Sequence, residues 1–273
     1  MRILFVLIFG CLLQPVPLAV AAENPRPKRV LLLGQKPDGH PFRTHEYMAG
    51  VNLMAEMLQP FENLQTIVVS ADDAWSEGPD LIDGADVVVV FLSQGAKWLS
   101  ADAKRLAAFK HLAQRGGGFV CLHWGMGTRD AEDVPAYVSL FGGCHGGPDR
   151  KYKVVETSAR PATIDHPILR GIKPFNVHEE FYYRLKFPAE RENHVGLIFA
   201  DIEDREEPVA WAWEREDGGR SFGFSGGHFH KNWKLPEYRR LMVQGILWTG
   251  HQPIRQTGIA VDVKPAQLQL EPR

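Results

Sequence analysis

Short apolar runs alternate with helix-patterned segments through the first half of the chain, and that alternation restricts the fold more than any single residue does. RVLLLG (29–34) is apolar without interruption and ends in glycine, the pattern of a strand buried on both faces. HEYMAGVNLMAEML (45–58) follows with apolar residues at helical spacing. LQTIVVS (64–70) and ADVVVVFL (85–92) are two further strands, the second the most apolar of the set. SADAKRLAAFKHLAQRGG (100–117) predicts an amphipathic helix with Ser100 as N-cap and Gly116 as C-cap, and GFVCLH (118–123) is the fourth strand. Buried strands separated by helices predict an α/β fold with a mostly parallel sheet covered on both faces.

The second half changes character. KYKVVET, HVGLIFADI, PVAWAWER and RSFGFSGGH are strand-like, and EDGGR (216–220) between two of them predicts a hairpin, hence antiparallel additions to the sheet. PEYRRLMVQGILWTG (236–250) is a closing helix with Pro at its start and Gly at its end. The Pro- and Gln-bearing tail, 251–273, is expected to be loosely ordered.

The N-terminus predicts a targeting segment. Met1 and Arg2 precede the apolar run ILFVLIFGCLLQPVPLAV, and Ala19 and Ala21 form an A-x-A-like cleavage site. Residues 1–22 are therefore expected to be a signal peptide and 23–28 a polar linker, with the mature protein exported to the periplasm or beyond. Lipidation at Cys11 is disfavoured by bulky Phe9. Export permits a disulfide between Cys121 and Cys144, but Cys121 falls in a buried strand, which favours two free thiols. Formal net charge is −2, which gives no footing to a nucleic-acid or anionic-membrane partner.

Histidine, with 11 residues, is the one enrichment with chemical content. In open parallel α/β sheets ligands bind beyond the carboxyl ends of the strands. Strand one leads into His40, His45 and Glu46, strand four into His123, and the last strand into His228 and His230. All fall at that one edge. Each has a bland reading: loop histidines, or for Glu46 a carboxylate favoured at a helix start. His228 and His230 alternate, so only one faces a given pocket. His228 is preferred because Gly226 and Gly227 let backbone approach a ligand. His145, in GGCHGG, is a further lining candidate. NVHEEFYYRL (176–185) supplies His178, Glu179, Glu180, Phe181, Tyr182 and Tyr183, as either paired carboxylates with aromatic faces for a sugar or an exposed edge strand. Trp75, Trp98, Trp124 and Trp233 fall in or near loops, as pocket lining or core caps. His166 and His251 are expected to be structural or solvated. No strong zinc signature is present, since HEE is not H-E-x-x-H.

LLLGQKPDGHPFRTHEYMAG, GGGFVCLHWG, DHPILRGIKPFNVHEEFYY, PVAWAWER and GFSGGHFHKNW together resemble the trehalose-utilisation (ThuA-like) family, from about Arg29 to Gly250. The resemblance implies a flavodoxin-like, class I glutamine amidotransferase-like three-layer sandwich over 29–250. It also implies a role in sugar catabolism linked to 3-keto-disaccharides. Amidotransferases of that fold carry G-x-C-x-G at the strand-to-helix bend. Here CLHWG puts His123 where the nucleophilic cysteine would stand and keeps Gly125, so glutamine hydrolysis through a Cys–His pair is not expected.

The leading expectation is an exported carbohydrate-active enzyme acting on a glycoside or keto-sugar. His123, His228 and Glu179 are the catalytic candidates. His40, Glu46, Trp124, His145, Glu180, Tyr182, His230 and Trp233 are the substrate-binding candidates. His45, His123 and His228 are candidate ligands for a divalent metal such as Zn. The alternative is a non-catalytic sugar-binding accessory protein on the same fold; a third reading relocates a nucleophile to Ser225 or Cys144. The expected partner is a small-molecule carbohydrate, with no nucleic acid, no stable membrane insertion after leader removal, and room for a homo-oligomer.

Overall fold

The four consecutive valines of strand β3 (Val87–Val90) show why the sheet is covered twice. Val87 and Val89 enter one apolar layer, Val88 and Val90 the other, and all four are buried. The structure is a computed structural model and describes residues 26–72 and 75–271. The expected leader and the first half of the linker lie outside them. Among the described residues no helix is long and apolar enough to cross a membrane.

β3 sits in a parallel set with β1 (Lys28–Gly34), β2 (Leu64–Ser70), β4 (Gly118–Leu122) and β9 (Arg220–Phe224), in the order β2-β1-β3-β4-β9. That is the 2-1-3-4-5 order of flavodoxin-like folds. Helices α1 (Tyr47–Leu58) and α6 (Pro236–Thr249) pack in one layer. Helices α2 (Gly78–Asp83), α3 (Gly95–Ser100), α4 (Ala103–Gln114) and α5 (Val134–Phe141) pack in the other. The expected three-layer α/β architecture is what the chain forms.

Beyond β9 the sheet continues antiparallel through β8 (Arg205–Glu214), β7 (His194–Ile202), β5 (Lys151–Pro161) and β6 (Phe175–Tyr183). The EDGGR turn joins β8 to β9 as an antiparallel pair, as its glycines predict. β5 pairs with β7 only at Arg160 and Pro161 but with β6 from Lys151 to Ala159. Most of the β5–β6 ribbon is thus free of the main sheet, and its far end brings Tyr152, Glu180 and Tyr182 to the cavity that His45 and His228 line.

Two sequence expectations need correction. Ser100 does not cap the helix after it; it ends α3, and Asp102 caps α4 by accepting from the backbone N–H of Lys104 and Arg105 at 2.8 and 3.0 Å. A carboxylate two residues on meets the free amides better than a hydroxyl still inside a helical turn. Nor is the tail loose up to Glu271. Ile254 and Val261 enter the core, and Arg239 and Arg240 of α6 donate to the carbonyls of Val261 and Ile259 at 2.9 and 2.7 Å. Apolar anchors and backbone acceptors hold a segment whose composition suggested neither.

Candidate functional site

Three loops are stitched together at the carboxyl edge of the parallel strands. The His45 amide donates to the His228 carbonyl at 3.1 Å, and the His230 amide donates to the Arg43 carbonyl at 3.0 Å, so the loop after β1 and the loop after β9 run as a short ladder. His123 begins the turn after β4. His45 and His123 both lie in the left-handed backbone region, at φ 51° and 47°. This region costs a β-carbon-bearing residue roughly 1–2 kcal/mol, and such strain concentrates at functional positions. Gly125 is needed at this bend because a β-carbon there would collide with the Val90 carbonyl. Gly227 (φ 129°) has a different reason from the expected one: its missing β-carbon leaves room for His123 Cβ, not for a ligand.

The rings meet at their nitrogens. His45 Nε2 lies 3.1 Å from His123 Nε2 and 3.0 Å from His228 Nδ1. Glu180 Oε1 lies 3.5 Å from His228 Nδ1 and 3.8 Å from His123 Nε2. One ligand atom from each of the four lies within 4.8 Å of every other.

Their partners fix which nitrogens carry protons. His123 Nδ1 lies 2.9 Å from the Ser225 carbonyl, which can only accept, so Nδ1 holds the proton and Nε2 is bare. His45 Nδ1 lies 3.0 Å from Asp38 Oδ2, and Tyr47 donates its hydroxyl to the same oxygen at 2.7 Å. Burial alone would raise the Asp38 carboxyl, but the hydrogen bonds from His45, Tyr47 and His40 overcome it and hold it well below the usual range. An ionised Asp38 requires a proton on His45 Nδ1, which leaves His45 Nε2 bare as well. Two lone pairs therefore face each other at 3.1 Å.

Burial pushes His45 down, and burial reinforced by its histidine neighbours pushes His123 well down and His228 to about 3. Neutral, convergent imidazoles with a carboxylate beside them are the donor set a divalent cation takes. Tetrahedral zinc with bonds near 2.05 Å separates its ligands by about 3.3 Å, close to the separations seen. The residues fit such an ion. A second group, Asp38, His40 and His45, also brings three ligand atoms together, but its Asp38 is already committed to Tyr47 and His45.

The cluster opens into a cavity of about 140 Å³. Tyr182 is stacked between His123 and His145, at ring separations of 4.3 and 3.8 Å, and its hydroxyl lies 3.1 Å from His123 Nε2. His40 stacks on His45 at 3.6 Å, and Trp124 meets His145 and Tyr182 edge-on. Burial, with Arg150 nearby, lowers His145 to about 3, and burial followed by the charge of Glu179 raises Glu180 to about 7. Of the sequence candidates, His40, His45, Trp124, His145, Glu180, Tyr182 and His228 line this cavity, and His123 sits behind it.

Four candidates lie elsewhere. Glu179 faces the interior, fully buried, where its carboxylate accepts from the Glu180, Gly227 and Phe229 amides, Asn232 Nδ2 and the Tyr238 hydroxyl. It is an anchor for the loop that carries His228. Glu46 accepts from the Arg43 amide at 2.8 Å. His230 borders a different cavity with Arg43, Lys231 and Lys234. Trp233 packs in the core against Tyr238. Trp75 and Trp98 also cap the core. Cys121 and Cys144 are free and buried, their thiols pushed up by burial, and neither they nor Ser225 line the cavity. A relocated nucleophile at Ser225 or Cys144 has no access to a substrate.

Sequence reasoning missed Asp38, Arg129, Arg150 and Tyr152. Asp38, two residues before His40 in KPDGH, had a readable signal as a carboxylate within a histidine-rich ligand loop. The strand alternation of FNVHEEFYY also marked Glu179 as the inward residue, since Val177 and Phe181 share its face.

The sequence matches the family described as trehalose utilisation (ThuA) over residues 29–249. Among curated proteins none matches. Among solved structures, a protein from Bacteroides uniformis described as ThuA-like is 14% identical, with TM-score 0.60 over 85% of this chain and 94% of that one. A cytoplasmic protein from Salmonella typhimurium is also 14% identical, with TM-score 0.55 over 81% and 98%. A GH42 β-galactosidase from G. stearothermophilus is 11% identical, with TM-score 0.53 over 84% of this chain and 31% of that one. At these identities the likeness is one of fold.

Proposed function

The chain belongs to the trehalose-utilisation (ThuA) family, and from that premise we propose that it is a metal-dependent enzyme acting on a glycoside or 3-keto-sugar. The observation that carries the reading is the pair of bare nitrogens, His45 Nε2 and His123 Nε2, facing each other at 3.1 Å in a buried site. Two lone pairs in contact repel, and a divalent cation bound between or beside them would turn that repulsion into coordination. Burial opposes supplying that cation as a proton on either ring. His45, His123, His228 and Glu180 would hold a divalent ion, with zinc the best match to an N₃O set. Such an ion acts as a Lewis acid toward a hydroxyl or carbonyl oxygen of the sugar.

The chain's own groups do the rest. Asp38 and Tyr47 fix the tautomer and orientation of His45. Trp124 offers an aromatic wall and Tyr182 the edge of its ring, and His40 and His145 offer ring nitrogens to sugar hydroxyls. Elemental analysis of the wild type and of His45→Ala, His123→Ala and His228→Ala, paired with sugar binding by calorimetry, tests this reading. Near-stoichiometric divalent metal in the wild type and its loss in all three variants are expected. A wild type that takes up no metal when zinc is supplied at neutral pH, and binds sugar equally well with a chelator, would remove the proposal.

A further inference from the structure

The open side of the same cavity has a charge that the metal-binding cluster does not explain. Arg129 and Arg150 both line it. Three acids near them in sequence are engaged elsewhere. Asp130 pairs with Lys97, Asp133 accepts from the Thr128 hydroxyl, and Asp149 pairs with Lys186. The side-chain bond of Arg150 goes to the neutral Gly147 carbonyl at 3.2 Å, and no ion pair joins either arginine to a carboxylate among the described residues. Two guanidinium groups thus border a cavity whose one carboxylate, Glu180, lies against His123 and His228.

Beside them stands Tyr152, 58% exposed. It is the direct cross-strand partner of Tyr182 on the β5–β6 ribbon, so both rings project on one side, and Tyr152 meets His145 edge-on at 6.4 Å. An exposed aromatic ring at a cavity mouth suits the apolar face of a pyranose. A guanidinium pair suits an oxyanion, which it can grip bidentately.

We propose that the sugar this site takes carries an anionic group, a carboxylate or a phosphoryl, held by Arg129 and Arg150 while its ring lies against Tyr152. The inference rests on the metal-site reading for what happens at the inner end of the cavity, but recognition at the rim is separable from it. Sodium glucuronate and glucose 6-phosphate are the anionic probes and glucose is the neutral one, each titrated calorimetrically at low and high salt. The proteins are the wild type, Arg129→Gln, Arg150→Gln, the double variant and Tyr152→Ala.

At least one anionic probe should bind roughly 10-fold or more tighter than glucose at low salt, and the two anions together identify which oxyanion the rim prefers. The preference should shrink in high salt and vanish in the double variant. Tyr152→Ala should weaken all sugars alike. Metal content should be the same in every rim variant. Equal binding of glucose and both anions, no binding of either anion, or a preference that survives in the double variant would overturn the proposal. A wild type without metal that still prefers the anion would sink the metal-site reading and leave this one standing.

Discussion

Asp38 is the residue on which the proposed cation site turns, although it lies outside the inner cluster. Its carboxylate keeps the His45 proton on Nδ1 and so keeps Nε2 bare. Asparagine has the same shape but supplies a single acceptor and an amide donor, and it removes the charge that fixes the tautomer. Asp38→Asn is expected to lower zinc affinity by roughly 10- to 100-fold and, because the ionised carboxylate is favoured in the folded state, also to lower the melting temperature of the metal-free protein. Competition with a chromophoric chelator gives the affinity and circular dichroism gives the melt. Unaltered affinity in this variant would mean that the assignment of bare nitrogens is wrong. His123 answers a question CLHWG raises at the same scale. It takes the left-handed backbone at the bend and hides its ring completely, so it acts from behind the cavity wall.

At the scale of elements, strand parity in β6 separates two adjacent carboxylates into different tasks. Glu180 turns with Tyr182 to the cavity; Glu179 turns with Val177 and Phe181 to the interior and gathers five donors, two of them amides of the 225–229 loop. Glu179→Gln would face some of those donors with a donor of its own. Each buried donor left unsatisfied costs about 1–3 kcal/mol, so the variant should lose several kcal/mol in urea denaturation. Its loop should open, seen as faster amide exchange at Gly227 and Phe229. A fully stable variant with protected amides would refute the anchoring role. The same parity is legible in the residue pattern of FNVHEEFYY. The place of Tyr152 in KYKVVET is not, because a strand's pattern does not reveal which end of a ribbon escapes the main sheet.

Across the whole molecule, burial of neutral histidines couples stability to pH. His45, His123, His145, His166, His194, His228, His230 and His251 are all pushed below the ordinary histidine value, burial being the largest cause in each. The folded state then binds fewer protons than the unfolded chain, so stability is complete above about pH 6.5 and is lost as pH falls. Glu179 and Glu180, raised by burial, act in the opposite sense. His145, lowered to about 3, isolates the effect. His145→Phe keeps a ring against Tyr182, and in the metal-free protein it should make stability at pH 5, relative to pH 7, roughly 1–2 kcal/mol less sensitive than in the wild type. Urea midpoints at the two pH values measure this. Equal pH dependence in both proteins would show that His145 ionises freely in the folded state.

The sequence by itself determined the layers. Continuous apolar strands such as Val87–Val90 have no stable place except between two helical layers, and the EDGGR turn forces the antiparallel addition, because these are local patterns read against burial. It also determined that histidines from three loops meet at one edge, since parallel strands all deliver their following loops to the same side. Tertiary structure alone decided which nitrogens face one another, that His230 and Trp233 turn away, and that the tail beyond Gly250 packs on α6. Those outcomes depend on backbone ladders such as His45 to His228, on the left-handed turns at His45 and His123, and on anchors such as Asp38 and Ser225. They are set by contacts between segments far apart in the chain, and no local pattern encodes such contacts.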